Sequence, residues 1–246
     1  MPVSMDWVRS FYEKQHQWAG VCSGPVEDVH RRRARLIVCP GRKPPYRILE
    51  LGCGGGQSAV ALAELGHEVV GIDLLPAAIQ HARALGARTP GVSVAWVEAD
   101  FYHFDPLGDF DVVCSFDGFG VGTDADQRRL LKRVASWLRP TGCAFIDIYN
   151  PSYWEQQAGK AMSWRDVSRR YDYDREGSRM LDTWWPAGHP ELAVTQSLRC
   201  YAPEELRSLI DGTGLSLVKA LLCAEFPEEA KVAATAMQYR ARLRHL

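Results

Sequence analysis

An apolar run stopping on a glycine-rich turn, Ile48-Leu49-Glu50-Leu51-Gly52-Cys53-Gly54-Gly55-Gly56, is followed seventeen positions after its last glycine by Asp73. Asp73 itself ends a second apolar run, Val69-Val70-Gly71-Ile72. This spacing predicts a buried strand, a tight turn, a helix and a second strand ending on a carboxylate. Gly52 and Gly54 let the backbone turn sharply and approach a ligand with no Cβ in the way. A carboxylate where the second strand stops can accept both hydroxyls of a ribose. The segment reads as a site for a nucleoside-containing cofactor.

A dinucleotide site would read G-x-G-x-x-G and hold a pyrophosphate at a helix N-terminus. Here Gln57 stands where the third glycine of that pattern belongs, and Glu50, two residues before the first glycine, would repel a pyrophosphate but attract a cation. S-adenosylmethionine carries a sulfonium and an ammonium and no phosphate. The run Glu50–Gly56 resembles the first motif of the class I (Rossmann-like) S-adenosylmethionine-dependent methyltransferases. Glu98-Ala99-Asp100-Phe101, closing the apolar run from Val92, is similar to that family's adenine-binding motif. Phe110–Gly118 matches the fourth strand, which ends where cofactor and acceptor meet.

The resemblance implies a set of roles. Glu50, Gly52, Gly54 and Gly56 would hold the amino-acid end of S-adenosyl-L-methionine, Asp73 with Leu74 the ribose, Asp100 with Phe101 the adenine. Phe116 would line the site, and Tyr12 or Trp18 would offer an aromatic face to the sulfonium. Methyl transfer by in-line displacement is mainly a positioning problem, so a base is needed only if the acceptor must lose a proton. Asp117 is the first candidate for base or orienter, with Tyr149 and His103, then Asn150 and His16, as further ones. Phe116-Asp117-Gly118-Phe119 departs from the [Asn/Asp]-Pro-Pro-[Tyr/Phe] of DNA and protein-glutamine methyltransferases, which argues against those substrates.

The chain of 246 residues, 46% hydrophobic and 24% charged, suits one α/β domain with a full core. A net charge of −1 gives no general attraction to nucleic acid or membrane. No stretch has the length and apolarity of a transmembrane helix, the N-terminus lacks a signal-peptide pattern, and no Cys/His cluster has metal-ligand spacing. Seven cysteines, an odd number, are scattered through the expected elements; Cys53, Cys114, Cys143 and Cys223 read as small buried residues, which suits a reducing, cytoplasmic setting.

The expected fold is α/β: a doubly wound, seven-stranded, mainly parallel sheet with an antiparallel last strand, N-terminal helices and an inserted antiparallel cap. Residues 1–45 form the helical region, 46–150 the cofactor core, 151–200 the cap, and 201–246 the end of the core. Arg31-Arg32-Arg33-Ala34-Arg35 reads as a solvated helix face. Expected strands are Arg47–Leu51, Glu68–Ile72, Val92–Glu98, Phe110–Phe116 and Gly142–Tyr149, with a final one over Thr235–Leu243. Asp124 or Asp126 would cap the helix that follows, and Gly66 and Gly86 would stop helices. In the cap, Arg170–Tyr173 and Arg179–Trp184 form a hairpin. Its aromatics with Arg170, Asp172, Arg179 and Asp182 suit either a small-molecule pocket or a homodimer surface. The leading expectation is a small-molecule methyltransferase acting on O, N or C. Alternatives are a protein or RNA methyltransferase, a non-catalytic cofactor-binding protein and, least favoured, a nicotinamide oxidoreductase.

Overall fold

From Ile48 onward every residue of Arg47–Leu51 (β1) is buried, and a strand covered on both faces belongs inside a sheet. The computed structural model, which describes residues 5–105, 108–222 and 236–246, places β1 within seven strands. It pairs in parallel with Glu68–Asp73 (β2) on one side, and Val94–Glu98 (β3) lies beyond β2. On its other side comes Phe110–Ser115 (β4), then Leu138–Tyr149 (β5), also parallel. The chain thus runs outward from β1 to β3, returns to β4 beside β1, and runs outward the other way. Such a reversal of strand order leaves a crevice outside the carboxyl ends of the strands. Glu50–Gly52 and Ser115–Asp117 meet there.

Helices cover both faces. Trp7–Ala19 (α1) and Asp28–Arg35 (α2) precede the sheet. Gln57–Glu64 (α3), Pro76–Ala87 (α4) and Asp124–Trp137 (α5) follow β1, β2 and β4. Thr123 caps α5, accepting from Asp126 N–H while Asp126 reaches back, so neither expected aspartate is the cap itself. Gly66 follows the end of α3 as expected, but Gly86 lies inside α4. A Cβ there would lie 3.4 Å from the indole nitrogen of Trp96 of β3, an ordinary contact.

After β5 the chain leaves the sheet through Pro151–Gln157 (α6) into an antiparallel cap of Ala161–Trp164 (β6), Val167–Asp174 (β7), Arg179–Pro186 (β8) and Val194–Arg199 (β9). The β7–β8 hairpin turns where expected; α6 and the exposed strand β6 have no counterpart in the sequence reading. Pro203–Ile210 (α7) then leads back to Leu215–Leu222 (β10), and Gln238–His245 (β11) inserts antiparallel between β10 and β5. Thr235, at the start of the expected last strand, and Cys223 lie outside the described residues.

Two details correct the sequence reading. Cys143 of β5 is bonded to Cys39 in the segment after α2, rather than being a free buried thiol, whereas Cys53 and Cys114 are free and buried. Arg33 is half-buried instead of solvated, its guanidinium 5.0 Å from the Phe116 ring. Arg240 lies 4.9 Å from that ring and donates two hydrogen bonds, 2.6 and 2.8 Å long, to Asp147, directly opposite it in the β5–β11 ladder. Breaking a buried pair strands the other charge, at a cost of about 3–5 kcal/mol. Arg240→Met should therefore lower unfolding free energy in urea by about 3 kcal/mol or more. Adding Asp147→Leu should recover most of the loss; a single variant as stable as the parent would contradict the pairing.

Candidate active site

Three carboxylates converge at the switch point. Glu50, near the end of β1, is buried, and its Oε2 has no hydrogen-bond partner among the described residues. Burial pushes its pKa up to about 8; the Arg33 charge opposes this and the Asp73 charge adds to it. Asp73, at the end of β2, accepts from Gly54 N–H at 2.8 Å and Leu75 N–H at 2.9 Å. Burial raises its pKa against those backbone donors. The same bonds hold the glycine turn to the strand end and leave lone pairs for a further donor.

Asp117 follows β4. Its carboxylate is reachable by solvent at the base of a recess, yet surrounded by enough protein that burial raises its pKa. It accepts from Tyr149 O–H at 2.7 Å and from Gly118 N–H at 2.7 Å. Burial and the Asp117 charge push the Tyr149 phenol well above its ordinary value, so it remains a donor to Asp117. Tyr12 of α1 reaches over the same space. Its hydroxyl donates to Gln196 Oε1 at 3.1 Å, and its pKa is raised by burial and then by the charges of Asp117, Asp73 and Asp182.

Behind the recess the cap holds Asp182, fully buried and satisfied by four donors. Arg169 binds it through two bonds of 2.7 Å, Trp184 through its indole N–H at 2.9 Å, and Gln196 at 3.0 Å. Tyr149, Trp154 and Tyr171 form an edge-to-face chain of rings 5.0 to 5.4 Å apart. Of the expected cap charges only Asp182 is placed here. Arg170 and Asp172 pair with each other on the surface, and Arg179 turns inward to the Gly120 and Gly122 carbonyls. Residues on a strand alternate faces, so the inward partner on β7 is Arg169, one residue from the expected position.

The remaining candidates divide. Phe101 lies over the glycine turn, 3.9 Å from where a Cβ at Gly52 would stand. Asp100 closes its own loop, accepting from Tyr102 N–H at 2.8 Å and holding His103 Nδ1 at 2.8 Å. His103 is exposed beside it and Leu74 is half-buried next to Asp73. Phe116 is turned away from Asp117, into the cluster under α2 and α3. Trp18 packs with Phe11, Val167 and Trp184, its ring 5.3 Å from the Lys14 ammonium. His16 contacts the Val21 carbonyl at 2.6 Å, and Asn150 caps α6.

Residues 21–24, between α1 and α2, form a strap over the glycine turn. Gln57 Nε2 donates to the Cys22 and Gly24 carbonyls at 3.1 and 3.3 Å. His81 of α4 bridges Gly55 O at 2.9 Å and Gly24 N–H at 3.1 Å. A Cβ at Gly55 would collide with the Cys22 carbonyl, so this contact requires glycine. A separate recess of about 500 Å³ behind the strap is lined by Arg31, Glu64, His81 and Arg88; none of the site carboxylates lines it. Gln57 and His81 had no assigned role in the sequence reading, and no local pattern marks them.

Residues 48–142 match a family model described as a methyltransferase domain. Cypemycin N-terminal methyltransferase of Streptomyces sp is 29% identical over 180 residues, covering 69% of this chain and 72% of that protein. A ubiquinone biosynthesis O-methyltransferase of Albidiferax ferrireducens is 32% identical over 148 residues, and the match spans 58% of this chain and 57% of that protein. Among solved structures, the CcbJ methyltransferase from Streptomyces caelestis superposes with a TM-score of 0.71 at 20% identity, covering 93% of this chain and 99% of that one. These matches give a methyltransferase domain over residues 48–142 and the fold of Rossmann-like S-adenosylmethionine-dependent methyltransferases. The chain's site suits that cofactor: the buried Glu50 oxygen, without a partner among the described residues, is matched by an ammonium.

Because the folded-state pKa of Glu50 lies above its unfolded value of 4.5, its contribution to stability is full below 4.5 and is lost as pH rises through about 8. The melting temperature of ligand-free protein should therefore fall between pH 6 and 9 more than that of Glu50→Gln. Equal slopes would place Glu50 in water. The strap makes a second prediction: His81→Ala should speed release of S-adenosylhomocysteine about tenfold in stopped-flow fluorescence, the order expected for losing one buried hydrogen bond or two.

Proposed function

We propose that this chain methylates the amine of a small molecule, with Asp117 accepting the proton the acceptor must lose. The observation that carries this reading is the Asp117–Tyr149 pair at the switch point, beside several aromatic rings. An amine reaches such a site as an ammonium ion. Carboxylates and ring faces favour that cation, whereas a phenolate or carboxylate acceptor would meet like charge.

S-adenosylmethionine supplies a methyl group activated on a positively charged sulfur. In this reading Asp73 and Leu74 take the ribose, Asp100 and Phe101 the adenine, and Glu50, Gly52, Gly54 and Gly56 the amino-acid end. Tyr12 covers the site from α1, and the strap excludes water. Asp117, with its raised pKa, receives the proton and leaves the nitrogen lone pair free, and Tyr149 fixes its carboxylate. Placing that nitrogen about 3 Å from the methyl carbon, opposite sulfur, is the main task of the cap. Phe116 supports the site from behind, and His103, held outside by Asp100, takes no part. A peptide amine is the second reading, favoured by the similarity to cypemycin N-terminal methyltransferase.

Incubation with S-adenosylmethionine and a panel of amino sugars, amino acids and short peptides, read by mass spectrometry, should show gain of one methylene on a small amine. Product only from phenols would contradict the reading. Asp117→Asn should lower kcat about 10²–10³-fold. In the parent, kcat/KM should fall as pH drops through a pKa above the ordinary aspartate value, and the variant should lack that limb. A limb that survives the substitution would remove Asp117 as the base.

A further inference from the structure

We infer that His81 is a positioning residue that holds the strap over the glycine turn only as its neutral Nδ1–H tautomer, so that protonation of the ring frees residues 21–24. The two ring contacts demand opposite roles. Gly55 O can only accept, so Nδ1 carries the proton across the 2.9 Å contact. Gly24 N–H can only donate, so Nε2 presents its lone pair across the 3.1 Å contact. A second ring proton would turn Nε2 into a donor facing a donor. The Gly24 bond must then break, and with it goes the tie between α4 and the strap.

The other ties to the strap do not respond in this way. Gln57 donates both of its bonds from an amide that does not titrate. His16 of α1, a second imidazole against the strap, contacts the Val21 carbonyl at 2.6 Å, a bond that an added ring proton leaves in place. The charged groups lining the recess beside His81 are Arg31 of α2, Glu64 of α3 and Arg88 of α4. Arg31 is neutralised by Glu64 through bonds of 2.8 and 3.0 Å, and Arg88 is exposed, so Glu64 and solvent screen both cations. Within the strap, burial pushes the Cys22 thiol up to about 11 and keeps it neutral; across the turn Asp73 is fixed on Gly54 N–H. One consequence rests on the cofactor reading above: with the strap unlatched, the sulfur nucleoside exchanges faster in acid.

Ligand-free protein tests the latch without the cofactor. Nitrogen NMR of the parent at about pH 8, above the ordinary histidine range, should show the His81 ring protonated at Nδ1 and bare at Nε2. As the ring gains its second proton, hydrogen exchange at the Gly24 amide, corrected for the intrinsic effect of pH, should speed up about tenfold, the order of one hydrogen bond. In His81→Ala that amide should exchange fast across the whole range. An Nε2–H tautomer overturns the inference, as does corrected Gly24 exchange that ignores the titration of the ring. Release of S-adenosylhomocysteine should gain about tenfold more speed on acidification in the parent than in His81→Ala, because Glu50, Asp73 and Asp117 titrate in both. Parent protein that binds no S-adenosylhomocysteine overturns the cofactor reading, while Gly24 exchange still decides the latch.

Discussion

The gathering of three carboxylates at the ends of neighbouring strands is the constraint on which the site depends. Glu50, Asp73 and Asp117 end three neighbouring strands, each with its pKa raised by burial. Burial disfavours the ionised form of each, so the crevice favours a ligand that brings positive charge. A sulfonium and an ammonium meet that need and a pyrophosphate does not.

What surrounds those carboxylates is built to exclude water. The Asp73 bonds to Gly54 and Leu75 tie the turn to the sheet, Gln57 and His81 tie the strap to the turn, and Tyr12 ties α1 to the cap through Gln196 and Asp182. Apart from the Asp73–Leu75 bond, each tie joins segments well separated in sequence.

The parallel core was legible because its signals are local. Strand limits at Arg47–Leu51 follow from a continuous apolar run, and the helix at Pro76 from a proline placed at its first turn. The glycine turn and Asp73 carried the cofactor class. The exposed strand β6 and the short helix α6 lack any apolar period. Arg169 was hidden because Arg169 and Arg170 are adjacent and only the register of β7 against β8 decides which faces inward. Arg33 sits in a run of arginines whose solvated appearance is right for Arg32 and Arg35 and wrong for the one residue facing Phe116. Gln57 and His81 act through backbone contacts that no pattern along the chain encodes.

The central claim is that this crevice takes a cationic sulfur nucleoside. Calorimetry of the purified chain with S-adenosylmethionine and NAD in parallel tests it most directly. The account predicts micromolar binding of S-adenosylmethionine, lost on Asp73→Ala, and no heat with NAD. Binding of NAD with none of S-adenosylmethionine would contradict it.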